Sequence, residues 1–246
     1  MRHLSRMLNR AMFMPISGTH VPAGEDLSMY NRSYVPALGD NRLSPLYDTT
    51  MSLLTCERTW QRAFVKQIDP KPRDVILDVG CGAGTLAILL KQACPAASIY
   101  GSDPDPDILT RAENKARDKD LLIHFSHGYA QETAQVATSI RPNKIVTSLV
   151  LHQVRMASKR STLLSAFAAL RSGGELHIAD YGLQYSPLMR MAYRHAQTME
   201  GYDATQPNAD GVLPDLMLEA GFVDVHENVV IPTPTGSISL YSARRP

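Results

Sequence analysis

Hydrophobic residues follow two different spacings along the chain, and the two spacings alternate. Short runs rich in β-branched residues predict strands, whereas apolar residues three and four positions apart predict helices. The predicted strands are residues 75–79, 98–101, 121–125, 144–150, 175–179, 222–231 and 237–242. The predicted helices are residues 47–68, 85–94, 105–117, 131–138, 158–170 and 187–199. Strands that alternate with helices in this way indicate βαβ units around a parallel sheet.

The last two predicted strands break this alternation, because a Pro-Thr-Pro-Thr-Gly turn at residues 232–236 joins them directly. A short connection of this kind indicates an antiparallel hairpin at the end of the sheet. The sequence therefore predicts an α/β fold with a doubly wound, Rossmann-like, seven-stranded sheet. We expect that sheet to be mostly parallel and to carry a C-terminal antiparallel hairpin.

Two segments stand outside the regular pattern. Residues 181–210 form an insertion rich in Met, Tyr and polar residues, and chain added beyond the carboxyl end of such a strand tends to cover the ligand crevice. We predict that it is a lid or a substrate wall. Residues 1–24 contain three arginines and no acidic residue. They form either a basic amphipathic helix over the site or an organelle transit peptide, and their Met and Leu spacing favours the first. We therefore predict an N-terminal cap with helices at residues 1–46, ahead of the main domain at residues 47–246.

Composition narrows the class of protein. Of 246 residues, 44% are hydrophobic and 20% are charged, which is typical of a folded globular chain. The net charge of +1 gives no electrostatic reason to expect a nucleic-acid or acidic-membrane partner. The longest apolar runs are far shorter than a transmembrane helix, so no stable membrane insertion is expected. Three cysteines without CxxC spacing predict a reduced, cytoplasmic protein, and we expect no metal site.

The stretch with the clearest chemistry begins at the first predicted strand. Gly80, Gly82 and Gly84 follow that strand at alternate positions and lead into a helix. Glycines there permit a tight turn, a close approach of the backbone to a ligand, and free N–H groups at the helix start. Asp103 stands 19 residues beyond Gly84, where a doubly wound nucleotide site places the carboxylate that binds a ribose diol. A nicotinamide-dependent reductase is disfavoured, because its third glycine would have to replace Thr85.

The pattern D-x-G-x-G-x-G led by Asp78 resembles motif I of the class I S-adenosylmethionine-dependent methyltransferases. Residues 100–109 look like that family's second-strand acidic motif, and residues 128–132 stand where its adenine-binding turn belongs. Residues 148–154 and 173–180 resemble its fourth- and fifth-strand motifs. Within the family, the likeness is strongest to the small-molecule methyltransferases of ubiquinone and menaquinone biosynthesis, and it covers residues 47–180.

The resemblance implies a role for each matching residue. The glycine turn would line the methionine and ribose parts of S-adenosylmethionine, Asp78 would orient the amino group, and Asp103 would bind the ribose hydroxyls. Tyr129 and Ala130 would meet the adenine, and Ser148 would lie at the methionine end. The complete set of residues expected to bind the cofactor is Tyr47, Asp78, Gly80, Cys81, Gly82, Ala83, Gly84, Asp103, Pro104, Tyr129, Ala130 and Ser148.

The resemblance also implies the reaction. We expect in-line transfer of a methyl group to a small acceptor, which is an aromatic or lipophilic metabolite rather than a nucleic acid. His152, just past the fourth strand, is the candidate general base. The alternative is a catalytically inactive protein of the same fold that binds the cofactor and a protein partner. The identity of the acceptor, the methylated atom and the formation of a homo-oligomer stay open.

Overall fold

The computed structural model describes residues 57–246, without the side chains of residues 195 and 196. The strands are β1 (Val75–Val79), β2 (Ser98–Asp103), β3 (His124–His127), β4 (Lys144–Ser148), β5 (Glu175–Tyr181), β6 (Val223–Thr233) and β7 (Gly236–Arg244). The α-helices are α1 (Glu57–Ile68), α2 (Thr85–Ala93), α3 (Pro106–Arg117), α4 (Thr133–Val136), α5 (Met156–Ala169), α6 (Pro187–Glu200), α7 (Tyr202–Ala209) and α8 (Leu213–Glu219). The predicted cap at residues 1–46 and the cofactor residue Tyr47 lie outside the described residues.

The strands pair in one seven-stranded sheet in the order β3-β2-β1-β4-β5-β7-β6. Strands β1 to β5 run parallel, and β7 lies antiparallel between β5 and β6. This arrangement confirms the predicted fold class, including the C-terminal hairpin. Because successive strands are added on one side of β1 and then on the other, the strand order reverses between β1 and β4. In open α/β sheets, ligands bind at such a reversal, beyond the carboxyl ends of the strands.

Helices cover both faces of the sheet, which is why its central strands are buried on both sides. On one face, Trp60 and Phe64 of α1 pack with Leu90 of α2. On the other face, Leu163 of α5 packs with Leu216 of α8. No helix among residues 57–246 is long and apolar enough to cross a membrane.

Several element boundaries differ from the predicted ones. The third strand was expected at residues 121–125 but pairs over His124–His127, opposite Tyr100 to Asp103 of β2. The expected helix at 131–138 is a 3-10 turn, Ala130–Glu132, followed by the single turn α4. The apolar pattern misplaces the third strand because β3 is an edge strand with little buried surface.

Candidate active site

The glycine turn predicted from the sequence lies between β1 and α2, at the point where the strand order reverses. Gly80, Gly82 and Gly84 have φ angles of 71°, 52° and 73°, a backbone conformation that residues with a Cβ rarely adopt. The Gly80 amide donates to the carbonyl of Ser102 at 2.8 Å, which fixes the turn to β2. A Cβ on Gly82 would meet no atom of the described part of the chain within 4 Å. The backbone at Gly82 therefore faces open space, as a ligand-binding turn requires.

Asp103 ends β2 beside this turn. One of its carboxylate oxygens accepts from the Gly82 amide at 2.9 Å, and the other accepts from the Asp105 amide at 3.0 Å. Burial raises the pKa of Asp103, and these two amides partly offset the rise. Each oxygen keeps a further lone pair, so the carboxylate can still accept from a pair of hydroxyl groups.

Asp78, near the end of β1, carries a buried carboxylate, and neither of its oxygens has a hydrogen-bond partner among residues 57–246. Burial raises the pKa of Asp78 to about 8, and the negative charge of Asp103 adds to the rise. The backbone amide of Ala87 favours the charged form of Asp78, although the two groups are not in hydrogen-bond geometry. An unpartnered buried carboxylate is costly, so this position fits a ligand that brings a positively charged group.

The other predicted cofactor residues lie around the same strand ends. Gly128 donates its amide to the carbonyl of Asp103 at 3.2 Å, which brings the half-buried Tyr129 and Ala130 to the Asp103 end of β2. Ser148 ends β4, the strand beside β1. The remaining members of the predicted set belong to the same segments, namely Cys81, Ala83 and Pro104. Burial raises the pKa of the Cys81 thiol, which removes any case for a thiolate there.

His152 lies in a second group of polar residues, beyond the carboxyl ends of β4 and β5. Its Nδ1 lies 2.7 Å from the Asp180 carboxylate, and its Nε2 lies 2.9 Å from the Glu200 carboxylate. Burial by itself would lower the pKa of His152, but the two carboxylates raise it to about 10. The ring is therefore an imidazolium near neutral pH; its Nδ1 is hydrogen-bonded to Asp180, whereas its Nε2 lies at ion-pair distance from Glu200 without hydrogen-bond geometry.

Lys159 of α5 completes this group, which we call the buried charge cluster (His152, Lys159, Asp180 and Glu200). The Lys159 ammonium donates to the carbonyl of Ala204 at 2.9 Å and to that of Leu151. Burial lowers the pKa of Lys159 to about 8, against the opposing effect of Asp180. His152 thus pairs with both carboxylates while Lys159 donates to two backbone carbonyls, and the cluster joins β5 and α5 to the insertion that contains α6 and α7.

Sequence reasoning found His152 but missed Lys159 and Glu200 as parts of this cluster. Lys159 could have been found, because it stands four residues before the buried Leu163 and thus on the inward stripe of α5. Glu200 gave no signal, since its partner lies 48 residues earlier in the chain and only the tertiary fold brings the two together.

Replacing Glu200 by glutamine is expected to lower the pKa of His152. Burial lowers this pKa and the two carboxylates raise it, so only Asp180 would remain to offset the effect of burial. An NMR titration of the His152 ring would measure the shift. Glu175→Gln is the matched control, since Glu175 lies 3.1 Å from a different ring, that of His177. An unchanged His152 pKa in the Glu200 variant would show that the ion pair with Glu200 does not raise the pKa of His152.

Comparison with known proteins identifies the fold around this site. Residues 76–174 match the family described as "Methyltransferase domain". These residues form a methyltransferase domain. The matched segment runs from β1 to the start of β5 and includes the glycine turn, Asp103 and Ser148. The resemblance drawn from the sequence is confirmed, together with S-adenosylmethionine as the cofactor class of this domain.

Two relatives named as methyltransferases are similar to part of this chain. The chain is 40% identical over 91 residues to a demethylmenaquinone methyltransferase of Deinococcus radiodurans, over 36% of this chain and 37% of that protein. It is 28% identical over 156 residues to a 2-phytyl-1,4-naphtoquinone methyltransferase of Synechococcus elongatus, over 61% of this chain and 65% of that protein. The chain thus covers less than two thirds of the length of either relative.

A solved structure shares the fold over most of the chain. The magnesium protoporphyrin IX methyltransferase of Synechocystis, solved with bound S-adenosylhomocysteine, aligns with a TM-score of 0.62 and 14% identity. The alignment covers 89% of this chain and 94% of that one. At 14% sequence identity, this likeness shows that the two proteins share a fold.

Proposed function

We propose that this protein transfers a methyl group from S-adenosylmethionine to a small aromatic or lipophilic acceptor, of the quinone kind named for its relatives. The observation that carries the proposal is the Asp78 carboxylate, which has no partner within residues 57–246, near the space that those residues leave open at Gly82. We also place the reaction in the cytoplasm, because Cys81 and Cys94 are buried free thiols, which suits a reducing compartment.

The residues at the glycine turn fit the cofactor group by group. Asp78 would hold its ammonium group, and Asp103 would accept from the ribose hydroxyls while still holding the Gly82 amide. Tyr129 would lie against the adenine, and Ser148 would lie at the methionine end. When bound, S-adenosylmethionine supplies a sulfonium whose methyl group is already electrophilic. The task left to the chain is to hold the acceptor in line with that methyl group and to exclude water, which can contribute about 7–11 kcal/mol.

His152 remains a prediction as a general base, and its surroundings favour a different part in the reaction. A base needs a free lone pair, whereas His152 is an imidazolium that is hydrogen-bonded to Asp180 through Nδ1 and ion-paired with Glu200 through Nε2. We propose that His152 is a positioning residue, which fixes the C-terminal end of α6 against β5. The acceptor's proton would then leave to solvent or to a group on the acceptor side of the site.

Cofactor affinity is expected to depend on pH through Asp78. Below pH 8 the free protein holds a proton on Asp78, and binding of an ammonium group requires that proton to leave. Affinity for S-adenosylhomocysteine should therefore rise with pH up to about 8, by at most about tenfold per pH unit, and level off above it. Calorimetric titrations across this range would measure the slope. Asp78→Asn should bind more weakly, and the part of the slope that comes from Asp78 should be absent; an identical slope in both proteins would refute the assignment.

Turnover itself is tested with methyl-labelled S-adenosylmethionine and a panel of hydroquinones and phenols. The proposal predicts label in at least one acceptor, with S-adenosylhomocysteine formed in equal amount. Asp103→Ala serves as the negative control at low cofactor concentration, since it should bind the cofactor more weakly. Binding of the cofactor without transfer to any hydroquinone or phenol would contradict the proposal and favour a protein that has kept only the binding site.

A further inference from the structure

The chain that follows β4, residues 149–153, which we call the β4 loop, begins in a conformation that its sequence does not favour. Leu149 has a φ angle of 55°, in the left-handed region. Within residues 57–246, six residues other than glycine have a positive φ angle, and Leu149 is the only hydrophobic one. A bulky side chain in this region strains the backbone, and such strain is concentrated at active sites and ligand-binding loops.

Contacts with the end of β5 hold the β4 loop in this conformation. The Leu149 amide donates to the carbonyl of Ala179 at 2.9 Å. The Leu151 amide donates to the Asp180 carboxylate at 2.7 Å. The loop is thus fastened on both sides of Val150, and its left-handed turn is maintained by tertiary contacts rather than by local preference.

This turn brings Val150 into direct contact with the glycine turn. A Cβ placed on Gly80 would lie 2.3 Å from Cγ2 of Val150, so Val150 fills the space that any other residue at position 80 would need. Gly80 is the first residue after β1, and Val150 is the second residue after β4. The contact therefore lies where the strand order reverses, and the half-buried Val150 borders the crevice expected there.

We propose that Val150 is a positioning residue for the methionine end of S-adenosylmethionine, and that the left-handed conformation of Leu149 holds it in place. The proposal rests on the proposed placement of the cofactor, in which Asp78 and Ser148 meet the methionine end. Gly80 stands two residues after Asp78, and Val150 stands two residues after Ser148. Their contact fixes the spacing between the two segments that would hold this end of the cofactor.

The ribose end of the cofactor site has separate support. Asp103 is held by the amides of Gly82 and Asp105, at 2.9 and 3.0 Å. Neither of these contacts involves the β4 loop. A change at Val150 should therefore weaken the contacts to the methionine end and leave those to the ribose in place.

Two ligands separate the two ends in calorimetric titrations of the full-length protein. S-adenosylhomocysteine carries both ends, whereas 5′-methylthioadenosine has the adenine, the ribose and the sulfur but lacks the amino-acid group. Val150→Ala should weaken the binding of S-adenosylhomocysteine by roughly tenfold, as for the loss of one hydrogen bond to a charged group, and should leave that of 5′-methylthioadenosine unchanged. Val150→Thr keeps the branched shape that contacts Gly80 and should bind both ligands as the wild type does.

Two substitutions of Leu149 separate its backbone conformation from its side-chain packing. Glycine adopts a positive φ freely, whereas a β-branched valine is strained there. Leu149→Gly should therefore retain the affinity for S-adenosylhomocysteine, and Leu149→Val should lower it. A role in packing alone would reverse this order, because valine keeps more of the side chain that packs on the core. Arg141→Val is the matched control, since Arg141 has a φ of 48° ahead of β4 and should leave both affinities unchanged.

No change in Val150→Ala, or equal changes for the two ligands, would overturn the proposal while leaving the proposed methyl transfer intact. An unchanged affinity in Leu149→Val would overturn the part that concerns Leu149. Wild-type protein that binds S-adenosylhomocysteine no more tightly than 5′-methylthioadenosine would instead overturn the placement of the methionine end, and with it both proposals. Circular dichroism of each variant checks that the fold is retained.

Discussion

Replacing Asp180 by alanine is expected to lower the free energy of unfolding by about 3–5 kcal/mol, the range found when one partner of a buried ion pair is removed. The carboxylate of Asp180 accepts from the amides of Leu151 and Tyr181 at 2.7 and 2.8 Å and faces His152 at 2.7 Å. Its loss would remove the carboxylate that accepts from two amides and would leave the imidazolium with only Glu200. Urea unfolding followed by circular dichroism measures the change.

Two companion variants make this result specific. Asp180→Asn keeps an acceptor for one amide but removes the charge, so its loss should be smaller than that of the alanine variant. Glu219→Ala removes an exposed partner of Arg160, at 3.0 Å, and should cost less than about 1 kcal/mol. If Asp180→Ala cost no more than the Glu219 variant, the buried charge cluster would not stabilise the fold as described.

Asp103→Ala is expected to weaken the binding of S-adenosylhomocysteine by about 10- to 150-fold, which corresponds to about 1.5–3 kcal/mol for hydrogen bonds to a charged group. Two losses combine in this variant. The ribose hydroxyls would lose their acceptor, and the Gly82 amide would lose the contact at 2.9 Å that holds the glycine turn against β2. Isothermal calorimetry measures the dissociation constant.

Asp105→Ala is the matched control for this prediction. Asp105 is a neighbouring carboxylate whose oxygen caps α3 by accepting from the amides of Asp107 and Ile108 at 2.9 and 3.3 Å. Its loss should cost about 0.5–2 kcal/mol of stability, as for other helix N-caps, and should leave affinity nearly unchanged. Equal affinity losses in the two variants would mean that Asp103 acts through the local backbone rather than by binding a ribose.

The central part of the fold could be predicted because its local signals agree with its tertiary environment. Strand β1 was expected at residues 75–79 and is found there, since its buried apolar run ends at glycines that only a tight turn can use. The edge strand β3 and the helices α7 and α8 were misplaced or missed. Helix α7 contains Pro207 within its eight residues, and α8 has only seven, so neither produces a clear helical period.

The candidate site also contains residues that could be predicted from the sequence and residues that could not. The glycine turn and Asp103 could be predicted because the chain conformation at β1 and β2 demands those residue types at those positions. The partners of His152 could not be predicted, because Glu200 reaches it only through the packing of the insertion on β5. The unpartnered state of Asp78 is likewise a property of the folded protein, since burial and the absence of a donor cannot be inferred from spacing.

Calorimetric titration of the wild-type protein with S-adenosylhomocysteine, with NADH titrated in parallel, tests the central claim most directly. The methyltransferase domain, the unpartnered Asp78 and the open space at Gly82 together predict saturable binding of S-adenosylhomocysteine and none of NADH. Binding of NADH alone, or of neither compound, would contradict the assignment of this turn to the cofactor.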